Sequence, residues 1–407
     1  MQNGSPPWGL KSSETVDRRL MIDPAIFDDE KEKIFKTKWL AVGHTSEITE
    51  PGDYLTATIA DQPIIVIRNR AGELRAFYNT CRHRGAVLAP KRKGNCGNHL
   101  QCIYHAWTYD LDGALVDVPS EKAYGDRFEK SSRGLAPVRV DTCGGAIFVC
   151  LNEDTESLSE FLGDAVPYIE EILGDKEALG RVRWNIDANW KIWRENFTDG
   201  YHILYAHRAL GYLVNKYDAT IKSFPNGHSV LEHHQSAEEF NPGRFAAAIQ
   251  KATGLPSDVG EVFSAFPVAP DPVDFTATAY IVGIFPNLVI MATPANSEIS
   301  MQIGHIDAVD QTRIEEVGLC SSADSKEMRE FRRRYGMAWH TPLGKAEGDD
   351  IEAWARCHEG MKSHEQVPFS DISRDPDSTE TGIGTGENAM RGFYEMYRNT
   401  MQLDAKG

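Results

Sequence analysis

The chain has 407 residues, 41% of them hydrophobic and 25% charged, enough to bury a sizeable core and better matched to two domains than to one. Its formal net charge of -17 argues against a nucleic-acid or anionic-membrane partner, because a phosphate backbone rewards clustered lysine and arginine. No apolar run reaches the length of a membrane span, the opening residues lack a basic segment followed by an apolar one, and the seven cysteines show no disulfide-framework spacing; a cytoplasmic location is expected.

In chain order, Pro63 to Arg68, a turn at Asn69 to Gly72, and Leu74 to Asn79 read as a β-hairpin. The second arm runs into Cys81-Arg-His83, and 18 residues further on comes Cys102-Ile-Tyr-His105, followed by a second turn at Asp112-Gly113. Two thiolates and two imidazoles brought to one place suit a 2Fe-2S centre with cysteines on one iron and histidines on the other, an arrangement of higher potential than an all-cysteine cluster. The same four residues also suit structural zinc. Between the clips lies the basic run Lys91-Arg92-Lys93, flanked by Arg82 and Arg84. It reads either as a dock for an acidic electron-transfer protein or as a solvated loop.

The next constellation is Asn189 to His207, read as a helix carrying Asp199, His202 and His207. Asp199 and His202, three apart, share a helical face, whereas His202 and His207, five apart, lie about 140° apart around the axis. One metal can join the two histidines only if the helix bends or ends. Two histidines and a carboxylate make the facial triad of non-haem iron(II). An acidic stretch far along the chain, Glu347-Gly-Asp349-Asp350, can supply that carboxylate or can simply be a helix start, where acids are favoured anyway.

Residues 279–292 and 299–306 read as neighbouring antiparallel strands, 326–335 and 390–401 as helices, and Asp371 to Glu387 as a surface loop. His228, His233 and His234 suggest a metal site, but adjacent residues on a strand face opposite ways, so pocket-lining or surface roles are expected. No flavin signature, dinucleotide turn or plant-type cysteine spacing is present. A chain of this kind cannot draw electrons from a nicotinamide unaided, and a separate reductase is implied.

The stretch from about Phe77 to Leu115, with Asp199-x2-His202-x4-His207, resembles the Rieske non-haem iron oxygenases, in particular the catalytic (alpha, or large) subunit of the aromatic-ring-hydroxylating branch. Ile103 and Ala106 depart from it, since Pro and Gly often stand there. The resemblance implies an α+β fold. A small antiparallel β Rieske domain would span 39–160, and a catalytic domain with a curved antiparallel sheet around helices, of helix-grip type, would span 161–407. A helical segment, 1–38, would pack on the catalytic domain. It implies a 2Fe-2S cluster on Cys81, His83, Cys102 and His105, and a mononuclear Fe(II) on His202, His207 and Asp350, with Asp349 the choice if the register moves by one.

By the same resemblance, Asp199 joins a ligand histidine to a Rieske histidine of the neighbouring subunit, which implies head-to-tail assembly as a homotrimer or as a trimer with a small beta subunit. Asn196 would sit near the iron. Arg391-Gly-Phe-Tyr394 matches a terminal motif whose arginine is either structural or a partner for a substrate carboxylate. The expected function is a terminal oxygenase that uses dioxygen and electrons from an NAD(P)H-dependent reductase, a ferredoxin, or both to mono- or dihydroxylate an aromatic acid or related arene. Competing readings are a monooxygenase or N-demethylase of a quaternary amine, an electron carrier, and a zinc-stabilised binding protein.

Overall fold

A computed structural model describes residues 11–207, 218–233, 279–292, 298–344 and 346–403. The chain divides into two compact units, one of Lys31–Phe161 and one of Met1–Glu30 with Leu162–Gly407.

The Lys31–Phe161 unit is built on strands β1 (Leu40–His44), β2 (Asp53–Ile59), β3 (Gln62–Arg68), β4 (Leu74–Tyr78), β5 (Lys93–Asn95), β6 (Leu100–Gln101), β7 (Thr108–Tyr109), β8 (Leu115–Asp117), β9 (Pro137–Cys143) and β10 (Ala146–Cys150). Seven form one sheet in the order β1-β10-β9-β4-β3-β2-β5, and β6-β7-β8 form a second, smaller one. The run Ile64 to Ile67 is buried throughout because β3 lies inside the sheet, paired antiparallel with β2 and β4. Gly72, at φ +81°, supplies the left-handed residue that the β3–β4 turn requires. One apolar cluster gathers Ile65, Phe77, Leu100, Trp107, Tyr109 and Leu115, so the large sheet and the small one share a core.

The other unit holds helices α1 (Pro24–Glu30), α2 (Val166–Leu173), α3 (Trp190–Asn196), α4 (Lys326–Trp339), α5 (Glu347–Met361) and α6 (Asn388–Met401). Its eight-stranded antiparallel sheet comprises β11 (Lys176–Ile186), β12 (Ala219–Ser223), β13 (Ser229–His233), β14 (Ala279–Ile284), β15 (Leu288–Ala292), β16 (Ile299–Ala308), β17 (Gln311–Ser321) and β18 (Thr381–Ile383), in the order β11-β17-β16-β15-β14-β13-β12-β18. Helix α6 packs on β12 and α3 on β16. Helix α6 turns Ala389, Met390, Phe393, Tyr394, Tyr397 and Met401 inward, the spacing of a helix with one apolar stripe. The long edge strand β11 carries charges at Lys176, Glu177, Arg181 and Arg183 and a register shift between Ala178 and Gly180.

Both expected helices are present, each somewhat longer than the sequence reading. The segment 371–387, read as a surface loop, instead ends one short strand and contains another. Phe369–Asp371 pairs with Thr15–Asp17, and β18 closes the sheet edge against β12. Its polar residues hid these strands because pairing at a sheet edge uses backbone groups and asks little of side chains. His228 is buried and its Nδ1 accepts the Phe285 amide, a structural use; His234 lies outside the described residues.

A buried node holds α1, α3 and α6 together. The Glu30 carboxylate accepts hydrogen bonds from Lys191 Nζ at 2.5 Å, Trp190 Nε1 at 2.8 Å and the Tyr397 hydroxyl at 2.5 Å. Lys191 and Glu30 are wholly inaccessible. Burial lowers the Lys191 pKa, and the adjacent Glu30 pulls it back up. Three donors on one carboxylate compensate its desolvation, whereas removing the lysine leaves a buried charge alone. Lys191→Met is therefore expected to lower unfolding stability by about 3–5 kcal/mol, read as a fall in denaturant midpoint.

Candidate metal centres

Two loops of the smaller unit carry the Cys and His clips, and they are built alike. After β4, the Gly85 amide returns to the Cys81 carbonyl at 2.9 Å; after β6, the Ala106 amide returns to the Cys102 carbonyl at 3.0 Å. Each closing residue is left-handed, Gly85 at φ +75° and Ala106 at φ +55°. Ala106 thus occupies a position where a glycine is easier, a local strain of about 1–2 kcal/mol. Its unusual residue type leaves the loop geometry in place.

Cys81 and Cys102 are both buried, and the His83 and His105 rings lie 4.5 Å apart between centroids. His83 stacks on Trp107 at 4.9 Å. Its pKa is lowered by desolvation and then by His105 and Arg84, which favours the neutral imidazole that a metal needs. The buried His83 Nδ1 has no hydrogen-bond partner among the described residues. A donor set of two thiols and two imidazoles with an orphaned ring nitrogen fits a 2Fe-2S group. The Tyr109 hydroxyl stands 3.4 Å from Cys81 Sγ and accepts the Arg82 amide at 3.0 Å. Sequence reading missed Tyr109. At the loop tip Ile103 and Tyr104 are 90% and 60% exposed. In the basic run, Arg92 is anchored on the Val42 carbonyl while Lys91 and Lys93 face outward.

In the larger unit the expected helix over Asn189 to His207 is short. Asn189 caps it by accepting the Lys191 amide, and it stops at Asn196. The chain then turns, with the Thr198 amide on the Glu195 carbonyl, the Asp199 amide on the Asn196 carbonyl, and a single 3-10 turn over His202–Leu204. Thr198, Asp199 and Gly200 are poor helix formers, and ending the helix there frees the second histidine from the 140° constraint. His202 Nε2 and His207 Nε2 lie 3.7 Å and 3.2 Å from Asp350 Oδ1. These three ligand atoms lie within 4.8 Å of one another, the one such grouping among the described residues. His207 and Asp350 are 4% and 5% exposed, and Asp350 Oδ1 has no hydrogen-bond partner among the described residues. A buried, unpartnered carboxylate oxygen facing two imidazole nitrogens fits a divalent cation.

The flanking carboxylates take the other ring nitrogens. Asp199 Oδ2 is 3.5 Å from His202 Nδ1, and Asp349 Oδ2 is 3.6 Å from His207 Nδ1. This is the usual arrangement by which outer carboxylates orient ligating imidazoles. Burial disfavours the charged form of His202, but Asp199 and Asp350 outweigh it and raise its pKa. The Asn196 carbonyl takes the Asp199 amide. Arg391 donates to the carbonyls of Ile372, Arg374, Asp375 and Ser378, which settles its role as structural.

Behind Asp350 lies an acid cluster that the sequence did not reveal. Gln302 accepts Trp193 Nε1 at 3.1 Å and donates to Glu316 at 3.1 Å and Glu347 at 3.2 Å, while His340 Nδ1 meets Glu298 at 2.5 Å. Burial, reinforced by Glu298, pushes the Glu316 carboxyl up to about 8, and burial also raises Glu347. Desolvation opposes the charge on His340, but Glu298 overcomes it and brings its pKa to about 9.

Residues 38–143 match the Rieske [2Fe-2S] domain, and residues 173–403 match the ring hydroxylating alpha subunit (catalytic domain). Together these define an enzyme of the Rieske non-haem iron oxygenase class, with a Rieske cluster and a mononuclear iron as its cofactors. Within that class the chain belongs to the family of ring-hydroxylating alpha subunits. It is 32% identical over 98% of its length to the 2-aminobenzenesulfonate 2,3-dioxygenase alpha subunit of an Alcaligenes species, covering 96% of that protein. It is 40% identical over 47% of its length to the anthranilate 1,2-dioxygenase large subunit of Acinetobacter baylyi, covering 42% of that protein. The crystal structure of naphthalene 1,2-dioxygenase from a Rhodococcus species bound to indole superposes with a TM-score of 0.80 at 26% identity, over 96% of this chain and 95% of that one. The fold is the expected α+β one. Relatives it resembles are named as oxygenase subunits for aromatic compounds such as anthranilate and 2-aminobenzenesulfonate, and also for methanesulfonate and glycine betaine. No described helix is long and apolar enough to cross a membrane.

A carboxyl whose folded pKa is about 8 against an ordinary 4.5 binds its proton more tightly in the folded state. That stabilisation is complete below about pH 4.5 and is lost as pH rises through 8. The thermal midpoint is expected to fall between pH 6 and pH 9, and Glu316→Gln to flatten that decline, each kcal/mol appearing as about 1–2 °C in a chain of this size.

Proposed function

We propose that this chain is the terminal oxygenase component that hydroxylates an aromatic ring bearing a carboxylate or sulfonate group. The observation that carries the reading is the convergence of His202, His207 and Asp350 in a chain that also carries the paired Cys-x-His and Cys-x2-His loops. The acidic substrate class is supported by likeness to relatives named for anthranilate and 2-aminobenzenesulfonate. We assign Cys81, His83, Cys102 and His105 to the cluster, His202, His207 and Asp350 to the mononuclear iron, and Asp199 to the bridge toward a partner subunit's cluster. We place Asn196 beside the iron site. The cluster domain is assigned to 39–160 and the catalytic domain to 161–407, with 1–38 packed on the latter.

When bound, the iron supplies dioxygen activation and the cluster supplies electrons one at a time. The chain's own residues do the rest. Asp199 and Asp349 hold the imidazoles of His202 and His207 in register through their Nδ1 atoms. The low exposure of His207 and Asp350 keeps bulk water from the reacting face. An NAD(P)H-dependent reductase, with or without a ferredoxin, docks at Lys91 and Lys93. A homotrimer, alone or with a small beta subunit, would bring one protomer's exposed Ile103-Tyr104 tip to its neighbour.

Metal analysis of anaerobically purified protein tests the assignment. About three irons and two acid-labile sulfides per chain are expected. Asp350→Ala should lose the mononuclear iron and keep the cluster's colour, whereas Asp349→Ala should keep both. Cys81→Ala should lose the cluster and keep the mononuclear iron. Zinc without sulfide would overturn the reading.

Tyr109 offers a finer check. A hydrogen bond to a cluster sulfur favours the reduced, more negative state, so Tyr109→Phe is expected to lower the cluster's reduction potential by roughly 40 mV, measured by redox titration of its visible absorption.

A further inference from the structure

We propose that Arg194, together with the Ser229 hydroxyl, binds the acid group of the aromatic substrate and so sets the preference for a ring carrying a carboxylate or sulfonate. The proposal rests on the oxygenase reading above and adds to it the side chains that recognise the acid. Arg391, the other arginine considered for that task, spends its donors on backbone carbonyls.

Arg194 lies on α3, two residues before Asn196, and is wholly buried. Its Nε, Nη1 and Nη2 atoms have no hydrogen-bond partner among the described residues. Burial alone acts on its pKa and lowers it to about 9, so the group stays charged at neutral pH. Its neighbour Glu195 instead takes the Tyr394 hydroxyl. The guanidinium carbon lies 5.7 Å from the centre of the Phe393 ring, and such a cation–π contact recovers only part of the cost of burying a charge without a counter-ion. Lys191, on the same helix and equally buried, shows the contrast, because it meets the Glu30 carboxylate. Arg194 is a buried cation whose counter-charge the described chain does not supply.

The surface it lies against is built for close approach. Ser229 of β13 and Gly283 of β14 are cross-strand partners. A Cβ on Gly283 would stand 2.7 Å from both Nη1 and Nη2 and 2.8 Å from Ser229 Oγ, so the guanidinium rests where any side chain at 283 would displace it. The Ser229 hydroxyl at that spot is itself buried and without a hydrogen-bond partner among the described residues. A guanidinium fork offers parallel N–H donors that match two oxygens of a carboxylate or sulfonate, and the hydroxyl can donate to an oxygen as well. One step along the same face of the two strands, about 7 Å away, Leu231 pairs with Ile281. Leu231 belongs to an apolar cluster against which Ile281 and Ile203 pack, and Ile203 directly follows His202. An acid group held at Arg194 therefore directs its ring along an apolar face toward the turn that carries the iron ligands.

The test uses the holoenzyme without reductase, so that binding is read apart from turnover. By calorimetry, anthranilate or 2-aminobenzenesulfonate should bind about 100-fold more tightly than aniline, which keeps the ring and the amine but lacks the acid. Arg194→Met should erase that difference, weakening the acids about 100-fold and leaving aniline unchanged. Gly283→Ala, which puts a methyl group where the guanidinium lies, should do the same with the arginine retained, and it covers an Arg194→Met protein that folds poorly. Ser229→Ala should weaken the acids about tenfold. In the ligand-free holoenzyme Arg194→Met should raise the thermal midpoint, because it removes a charge that has no counter-ion. Equal affinity of the unsubstituted enzyme for the acids and for aniline would overturn the proposal. So would a lowered midpoint in Arg194→Met with undiminished acid binding, the result of a purely structural guanidinium. A midpoint that depends on chloride through Arg194, with neither acid bound, would overturn it in favour of a small inorganic anion. Iron and sulfide are measured on every protein, so a chain that holds both metal centres yet ignores the acid group fails this proposal and not the oxygenase assignment.

Discussion

A regular helix cannot aim residues five apart at one atom, and everything in the larger unit follows from where α3 stops. The helix is held from behind by the Glu30 node and from the side by Trp193 on Gln302. Its end at Asn196 is therefore fixed in space as well as in sequence. From that fixed point eleven residues bring both imidazoles to Asp350. Had the helix run on, His202 and His207 would have faced divergent directions and the carboxylate would have met only one of them.

The carboxylate arrives from the opposite direction with its own electrostatic problem. Helix α5 starts with Glu347, Asp349 and Asp350, and a helix N-terminus tolerates acids through its partial positive charge. Glu347 and Asp350 are buried there beside the buried Glu316, and three ionised groups in that place would still repel strongly. Burial resolves this by favouring the proton-bound forms of Glu347 and Glu316, with the Gln302 amide bridging the two. Asp350 then presents a negative oxygen toward the imidazoles without like charges crowding behind it. The positive His340 is matched with Glu298. Net charge at the centre is thus set by groups that never touch a ligand.

Much of the site was legible because its residues are close in sequence. The Cys and His clips, and Asp199 with the two histidines, are local patterns whose chemistry shows in their spacing. Asp350 was legible only through family resemblance, because an acidic helix start looks the same with or without a metal. Geometry now puts Asp350 against both Nε2 atoms and Asp349 against an Nδ1. Gln302, Glu316 and Glu298 were illegible for a physical reason. They lie on or beside strands far from the motifs in sequence, and only the register of β16 with β17 makes them neighbours. Tyr109 was hidden in the same way, reaching Cys81 from a strand 28 residues away. The short strands at residues 369–371 and 381–383 escaped because edge pairing left no apolar signature.

Strand β11 has a consequence for how the protein meets other copies of itself. Among the described residues β11 has a strand partner on one side only, β17, and an edge strand of this length would ordinarily invite a foreign strand to add on. Here the register between Ala178 and Gly180 shifts, and Lys176, Glu177, Arg181 and Arg183, paired with Asp175, Arg329 and Glu315, line the strand with ion pairs. An incoming strand would have to disturb those ion pairs and match an irregular backbone. Edge-to-edge strand addition along this side is thereby disfavoured, so the largest sheet is guarded at its long edge by charge and irregular register and not by a covering strand.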